Sequence, residues 1–216
     1  MTSPRALRWF ITGSSAGFGR AIADAEWREL LEVNVLGPIA VLRALLPHLR
    51  ERGSGHVVQM SSVAGVIGNP GHAAYGMTKF ALEGVSEALA GEVAPFGIGV
   101  TVVEPGPFRT GFAGRSMRSS TPNPAYAGTP AARLREHVAD QDGNQPGDPV
   151  RAAGTIAEVV HRSIGSVTGE RMPLRLPLGE SAVTRIGDRL RERLDDLERV
   201  AGPARSVDYP VGSEAP

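Results

Sequence analysis

One apolar run restricts the fold of this chain more than any other feature of the sequence. Ile98-Gly99-Val100-Thr101-Val102-Val103 shows no alternation between polar and apolar positions. A strand that is apolar on both faces is typical of a strand buried inside a parallel sheet, with helices covering each face. A second, shorter run, His56-Val57-Val58-Gln59-Met60, is also predicted to be a strand, opened by Gly53-Ser54-Gly55. The sequence therefore predicts at least two central strands of a parallel sheet.

Helical repeats separate these runs. Leu82, Val85, Leu89 and Val93 follow a three- or four-residue spacing, which predicts a helix over residues 73–93 that ends before Pro95. A longer helix is predicted over residues 19–50, with a kink near Pro38. A first strand is predicted over residues 7–12, with Phe10–Ile11 beside Val57–Val58 in a parallel ladder. A weaker strand is predicted over residues 172–176, at an edge because of Pro173. This alternation predicts an α/β fold, a doubly wound parallel sheet of about four strands with helices on both faces.

The chain has 216 residues, which suits one domain and a tail. Residues 1–180 are predicted to form the main domain, and residues 181–216 a C-terminal amphipathic helix and a loose end. Residues 111–150 are rich in glycine and proline, with one predicted helix over 131–139. A long irregular segment of this kind is often a functional loop, here a substrate loop.

Composition excludes several classes of function. The formal net charge is zero, which argues against nucleic-acid binding, and the absence of cysteine excludes thiol chemistry and disulfides. We find no apolar run of about 18 residues and no signal-peptide pattern near the start, so we expect no membrane span and a cytoplasmic location. The five histidines lack metal-ligand spacing and are interpreted as surface or capping residues, so no metal site is predicted.

A glycine-rich turn follows the first predicted strand and opens a helix. It reads Thr12-Gly13-Ser14-Ser15-Ala16-Gly17-Phe18-Gly19. Glycines at this point let the backbone approach a pyrophosphate, which then lies at the N-terminus of the helix. The spacing departs from the commoner dinucleotide-binding pattern, and an ordinary strand-to-helix turn is the alternative interpretation.

Tyr75 and Lys79 lie one helical turn apart, so their side chains share a helix face. A fixed cation beside a phenol favours the phenolate and lowers its pKa, which suits acid–base catalysis. The alternative is a half-buried tyrosine beside a solvated lysine. Of 23 basic residues, Lys79 is the only lysine and the others are arginine, so a compact ammonium is used here and nowhere else.

Polar or glycine-rich positions also follow two predicted strands. Ser62 follows the strand that ends at Met60, and Pro105-Gly106 follows the strand that ends near Glu104. Ligands of open parallel sheets bind beyond the carboxyl ends of the strands. These positions are therefore expected to converge on one crevice.

Together these motifs resemble the short-chain dehydrogenase/reductase family, over residues 7–20 and 26–180. The resemblance implies a Rossmann-like fold and an NAD- or NADP-linked oxidoreductase that interconverts an alcohol and a small carbonyl compound. It implies that Tyr75 is the acid–base, Lys79 its cation and ribose ligand, Ser62 the group that orients the carbonyl, and Asn34 the holder of a proton-relay water. The cofactor-binding residues implied are Gly13, Ser15, Gly17, Phe18, Gly19, Tyr75, Lys79, Pro105, Gly106, Phe108 and Thr110.

One departure from the family is large. Only 15 residues separate Gly19 from Asn34, whereas the family places further βα units there, including the strand that selects NAD or NADP. The sequence therefore resembles a family member with an internal deletion of the adenine-binding half. Two functions stay open: an active oxidoreductase, which we expect to form a homo-oligomer, or an inactive remnant that serves as a binding module. A hydrolase is not predicted: the chain has no cysteine nucleophile, and its one Gly-x-Ser-x-Gly match, Gly13-Ser14-Ser15-Ala16-Gly17, lies in the glycine-rich turn that resembles a pyrophosphate-binding turn.

Overall fold

The structure is a computed structural model, and it describes residues 27–111, 123–165 and 173–209. The helices are α1 (Trp27–Arg52), α2 (Ala73–Val93), α3 (Pro130–Asp140), α4 (Pro149–Gly165) and α5 (Glu180–Arg205). The strands are β1 (Gly55–Met60), β2 (Ile98–Pro105) and β3 (Arg175–Leu178). Short 3-10 turns span Val63–Gly65, Ala94–Phe96 and Pro124–Tyr126.

The described strands form one parallel sheet in the order β1-β2-β3. Val57 pairs with Val100, and Val103 pairs with Leu176. The sheet thus has the predicted parallel, Rossmann-like character, with β2 in the centre. The last strand begins three residues later than predicted and contains Pro177, which an edge strand tolerates. The strand predicted over residues 7–12, and its pairing with β1, lie outside the described residues.

Helices cover both faces of the sheet. Leu42 of α1 and Leu89 and Val93 of α2 pack against Val57 and Val100 in a continuous apolar cluster. Helix α4, for which the sequence analysis gave no prediction, packs against β1 and β2. His56 of β1 is half-buried and bonds Thr101 of β2 at 2.9 Å. The expectation that every histidine is a surface or capping residue is therefore wrong for His56.

Helix α1 departs from α geometry next to Pro38, as expected. A π-helical segment, Glu32–Leu36, precedes it, and the Gly37 N–H donates to the Glu32 carbonyl. Proline has no N–H, so Pro38 can offer no hydrogen bond to the carbonyl of Asn34, four residues earlier. Helix α1 is also long and apolar enough to cross a membrane by length and composition alone, which the search for uninterrupted apolar runs missed.

The helix predicted near the C-terminus is present, but only its first turns pack against the rest of the described chain. Helix α5 is the predicted amphipathic helix, and Ala182 and Ile186 pack on Val63, Val66 and Ile67. Farther along α5, Leu190, Leu194, Leu197 and Val200 are more than half exposed. Helix α3 matches the prediction within the 111–150 segment, while residues 112–122 lie outside the described chain.

Candidate active site

The candidate site lies at the carboxyl end of β1, where the strand gives way to a tight turn. Ser62 has an extended backbone and caps the 3-10 turn, because its Oγ accepts a hydrogen bond from the Ala64 N–H at 3.1 Å. The Ser62 side chain lies close enough to the Tyr75 phenol to lower its pKa by hydrogen bonding. Because the Ser62 oxygen already accepts from Ala64, its own O–H is free to be donated to the phenol oxygen.

Lys79 reaches across the same end of β1. Its Nζ donates to the Met60 carbonyl at 2.8 Å and lies 5.6 Å from the centroid of the Tyr75 ring. Tyr75 and Lys79 are both half-buried. The structure thus brings Ser62, Tyr75 and Lys79 together, as the spacing along the chain predicts.

The electrostatics of Tyr75 differ from the expectation. Burial raises the pKa of Tyr75 above its usual value, and the Ser62 hydrogen bond opposes that rise without cancelling it. Lys79, whose ammonium donates to the Met60 carbonyl, is not among the groups that shift the pKa of Tyr75, so the predicted lowering by Lys79 is absent. Burial also lowers the pKa of Lys79, while the Glu83 carboxylate acts in the opposite direction.

Asn34 is joined to the same helix through a residue that the sequence analysis overlooked. Its Nδ2 donates to Thr78 Oγ1 at 3.1 Å, and the Thr78 hydroxyl donates to the Tyr75 carbonyl at 2.8 Å. Thr78 is fully buried. Its position inside the Tyr75–Lys79 turn is the sequence signal that could have identified it. Asn34 therefore fixes the π-helical segment of α1 to the first turns of α2.

The segment after β2 is held in place by backbone contacts. The Gly106 N–H donates to the Leu178 carbonyl at 3.0 Å. The Arg109 N–H donates to the Gly147 carbonyl at 2.9 Å, and the Gly147 N–H donates to the Pro107 carbonyl at 3.1 Å. These bonds hold Gly147, near the end of the long segment 111–150, against the residues that follow β2.

The close approach of the Phe108 ring explains why residue 147 is a glycine. A Cβ added at Gly147 would lie 2.5 Å from the Phe108 ring, which is too close for any other residue without a shift. Thr110 is exposed at the end of this segment. Pro105 and Gly106 are only partly buried beside it. The remaining predicted cofactor residues, Gly13, Ser15, Gly17, Phe18 and Gly19, lie outside the described residues.

Chemically, this arrangement pairs a phenol with a serine hydroxyl and an ammonium at one edge of a parallel sheet. An ammonium has three N–H groups, and the Met60 carbonyl accepts from one of them. The site can therefore donate a proton from Tyr75 and hydrogen bonds from Ser62 and Lys79 toward oxygen atoms of a ligand. This donor set fits the hydroxyl groups of a ribose and the oxygen of a carbonyl compound.

Comparison with known proteins agrees with this geometry. Residues 21–120 match the short chain dehydrogenase family. A solved short-chain dehydrogenase from Streptomyces avermitilis superposes with a TM-score of 0.76 at 38% identity, over 94% of this chain and 68% of that one. The chain belongs to the short-chain dehydrogenase family.

The match to other members of the family covers only part of their length. Oxidoreductase BOA17 from Botryotinia fuckeliana is 41% identical over 158 residues, which cover 73% of this chain and 54% of that protein. The chain thus spans about half the length of this curated relative. A short-chain dehydrogenase/reductase from Burkholderia phymatum, solved with NAD, has a TM-score of 0.61 at 19% identity, over 80% of this chain and 59% of that one. At that identity the likeness shows the fold alone.

Proposed function

We propose that this chain is an NAD(P)-linked oxidoreductase that interconverts an alcohol with a ketone or aldehyde at the Ser62–Tyr75–Lys79 site. The observation that carries the proposal is the position of Lys79 at the carboxyl end of β1, where its Nζ donates to the Met60 carbonyl at 2.8 Å and lies 5.6 Å from the centroid of the Tyr75 ring, next to Ser62. Membership of the family and relatives named as oxidoreductases support it.

Tyr75 would act as the general acid in carbonyl reduction. Because burial raises its pKa, the phenol is fully protonated at neutral pH and can give its proton to the oxygen of the carbonyl group as negative charge develops there. The Ser62 hydroxyl would donate to the same oxygen and hold the carbonyl against Tyr75. When bound, a reduced nicotinamide would supply the hydride to the carbonyl carbon.

Lys79 would hold the nicotinamide ribose beside Tyr75. Its remaining N–H groups suit the ribose hydroxyls, and its positive charge would stabilise the Tyr75 phenolate that forms once the proton has been given up. The Gly13–Gly19 turn, with Ser15 and Phe18, is proposed to bind the pyrophosphate, and the Pro105–Thr110 segment the nicotinamide. Residues 111–150 are proposed to form the substrate loop. Asn34, which is bonded to Thr78, is proposed to hold the proton-relay water.

A second candidate is an inactive remnant that binds a ligand without turning it over. The short distance between Gly19 and Asn34, 15 residues, favours it. The Streptomyces structure favours it too, because the match covers 94% of this chain but only 68% of that longer one. We propose that an internal deletion has removed the adenine-binding units, which include the strand that selects NAD or NADP.

The partners proposed for this protein are small carbonyl or alcohol compounds, and a second copy of the chain. Val41 and Leu45 of α1 are more than half exposed, which favours self-association over a solvated α1 surface. The neutral charge disfavours nucleic-acid partners, and a cytoplasmic location without membrane partners stays a proposal.

Replacement of Tyr75 tests the proposed function. Tyr75→Phe keeps the ring and removes the only phenol in the site, so carbonyl reduction should fall by about 10²–10⁴-fold, the usual contribution of general acid catalysis. Reduction of a panel of small ketones and aldehydes with NADH and NADPH measures this. Tyr126→Phe, at an exposed tyrosine, is the matched control. Equal rates for wild type and Tyr75→Phe would contradict the proposal, and turnover by neither would favour the remnant.

A further inference from the structure

Two buried carboxyl groups lie directly beneath the candidate site. Glu104 closes the row of buried residues Ile98, Val100 and Val102 on the face of β2 that α2 covers, and it is fully buried. Glu83, on α2, is 6% exposed. Arg175 of β3 lies against both carboxyl groups, with its Nε 3.2 Å from Glu83 Oε2 and 3.5 Å from Glu104 Oε1.

This cluster has more buried acid than the one arginine can neutralise. Within the described part of the chain, both carboxyl oxygens of Glu104 and Oε1 of Glu83 have no hydrogen-bond partner. Arg175 also bonds the exposed Glu87 at 2.5 Å, so its charge is divided further. Two ionised carboxylates in this space would repel each other in a medium of low dielectric. One bound proton would relieve the repulsion and supply a missing donor.

The cluster reaches the proposed catalytic residues through α2 and through the turn after β1. Glu83 lies one helical turn beyond Lys79, and its carboxylate opposes the effect of burial on the ammonium. A Cβ at Gly65 would lie 2.5 Å from Ser61 Oγ and 3.1 Å from Glu83 Oε1. Glu83 therefore lies against the turn that begins at Ser62.

We propose that Glu104 holds a proton beside the Glu83 side chain and that this pair is a positioning device for Lys79. In the singly protonated pair, Glu104 carries the proton and Glu83 is the carboxylate that keeps Lys79 charged in its half-buried position. The inference rests on the proposed function for its catalytic meaning, but its electrostatic content is independent of turnover. Among the described residues no group of three or more acidic or histidine side chains could hold a metal ion, and Arg175 between the two acids disfavours a cation.

The groups that face the pair support this assignment. Glu104 meets the Glu83 carboxylate from α2 and the Arg175 guanidinium from β3. Burial and the charge of Glu83 together raise the pKa of Glu104 to about 7, against the smaller opposing effect of Arg175. A proton held at Glu104 is therefore retained up to neutral pH and lost above it.

The single lysine of this chain makes the test direct. Protein labelled with [13Cε]lysine gives one lysine signal, from Lys79, and its chemical shift against pH reports the charge of that ammonium without any substrate. Glu83→Gln should move the Lys79 titration midpoint to lower pH, because the ammonium loses the negative charge one helical turn away that opposes the effect of burial. Glu87→Gln removes an exposed partner of the same Arg175 and should leave the midpoint unchanged.

A second measurement covers a Glu83→Gln variant that fails to fold. In the wild type, the Lys79 signal should show an additional small step near neutral pH as Glu104 ionises, and Glu104→Gln should abolish that step. An unchanged midpoint in folded Glu83→Gln, or a wild-type signal without the neutral step, would overturn the proposal. Either result stands even if the protein reduces no carbonyl compound, so it is distinct from failure of the proposed function.

Discussion

Lys79 shows how a single residue choice carries information in this chain. Every other basic position is arginine, and the one ammonium donates to the Met60 carbonyl beside the ring of Tyr75. A guanidinium is planar and larger, and it cannot take the place of a compact ammonium between a strand end and a phenol. The sequence predicted this pairing from the four-residue spacing alone.

We therefore expect Lys79→Arg to retain the fold and to lose at least about 10²-fold in carbonyl reduction, because the charge is kept but the geometry is not. Steady-state rates of the variant and of the wild type measure this, with circular dichroism to verify folding. Arg162→Lys, on the exposed surface of α4, is the matched exchange in the opposite direction and should leave the rate unchanged. A fully active Lys79→Arg variant would mean that the lone lysine has no chemical role.

The pKa shifts of the site residues could not be predicted from the sequence. The spacing of Tyr75 and Lys79 predicts a phenol with a lowered pKa, whereas burial raises it. The sequence also did not predict Thr78, because its bond to Asn34 depends on how α1 packs against α2. It did not predict the cluster of Glu83, Glu104 and Arg175, because these side chains meet only where α2 packs across β2 and β3. A glutamate just before Pro105, at the end of an apolar run, was the available signal.

At the scale of elements, β2 and α2 followed from local pattern. Helix α2 spans the predicted residues because its apolar spacing is regular and Pro95 ends it. Helix α4 was missed because its first turns lie next to a segment dominated by glycine and proline. The π-helical segment of α1 was expected only as a kink, since its form depends on Gly37 and on the bond from Asn34 to Thr78.

Glu104, buried where β2, α2 and β3 meet, should make the free energy of unfolding depend on pH. Glu104 has a pKa of about 7 in the folded chain, against an ordinary value of 4.5. The folded chain then binds more protons than the unfolded chain between these values. The free energy of unfolding should therefore fall as pH rises from about 4.5 to about 7, by an amount on the order of 3 kcal/mol.

Glu104→Gln should remove this dependence, since an amide stays neutral at every pH. Urea unfolding at pH 5 and pH 8 measures it: the variant should match the wild type at pH 5 and exceed its stability at pH 8. Glu87→Gln serves as control, because Arg175 lowers the pKa of the exposed Glu87 and places its effect below this pH window. A wild type whose stability is the same at both pH values would contradict this assignment.

At the scale of the whole molecule, the described sheet holds the nicotinamide side of the proposed site. The residues proposed for the pyrophosphate, Gly13 to Gly19, and the strand predicted over residues 7–12 are known from the sequence only. The proposed deletion removes the adenine-binding units, so cofactor contacts on that side should be reduced. Each tenfold loss of affinity corresponds to about 1.4 kcal/mol, and loss of adenine burial should cost several such factors.

The most direct test of the account is a titration of [13Cε]lysine-labelled protein with NADH and, separately, with NADPH. We expect the Lys79 signal to shift in a saturable way for at least one of them, with a dissociation constant well above the micromolar range. ADP, which lacks the nicotinamide ribose, should leave the signal in place. A Lys79 signal that does not move at millimolar concentrations of either cofactor would contradict the central claim that Tyr75 and Lys79 form a nicotinamide-linked site.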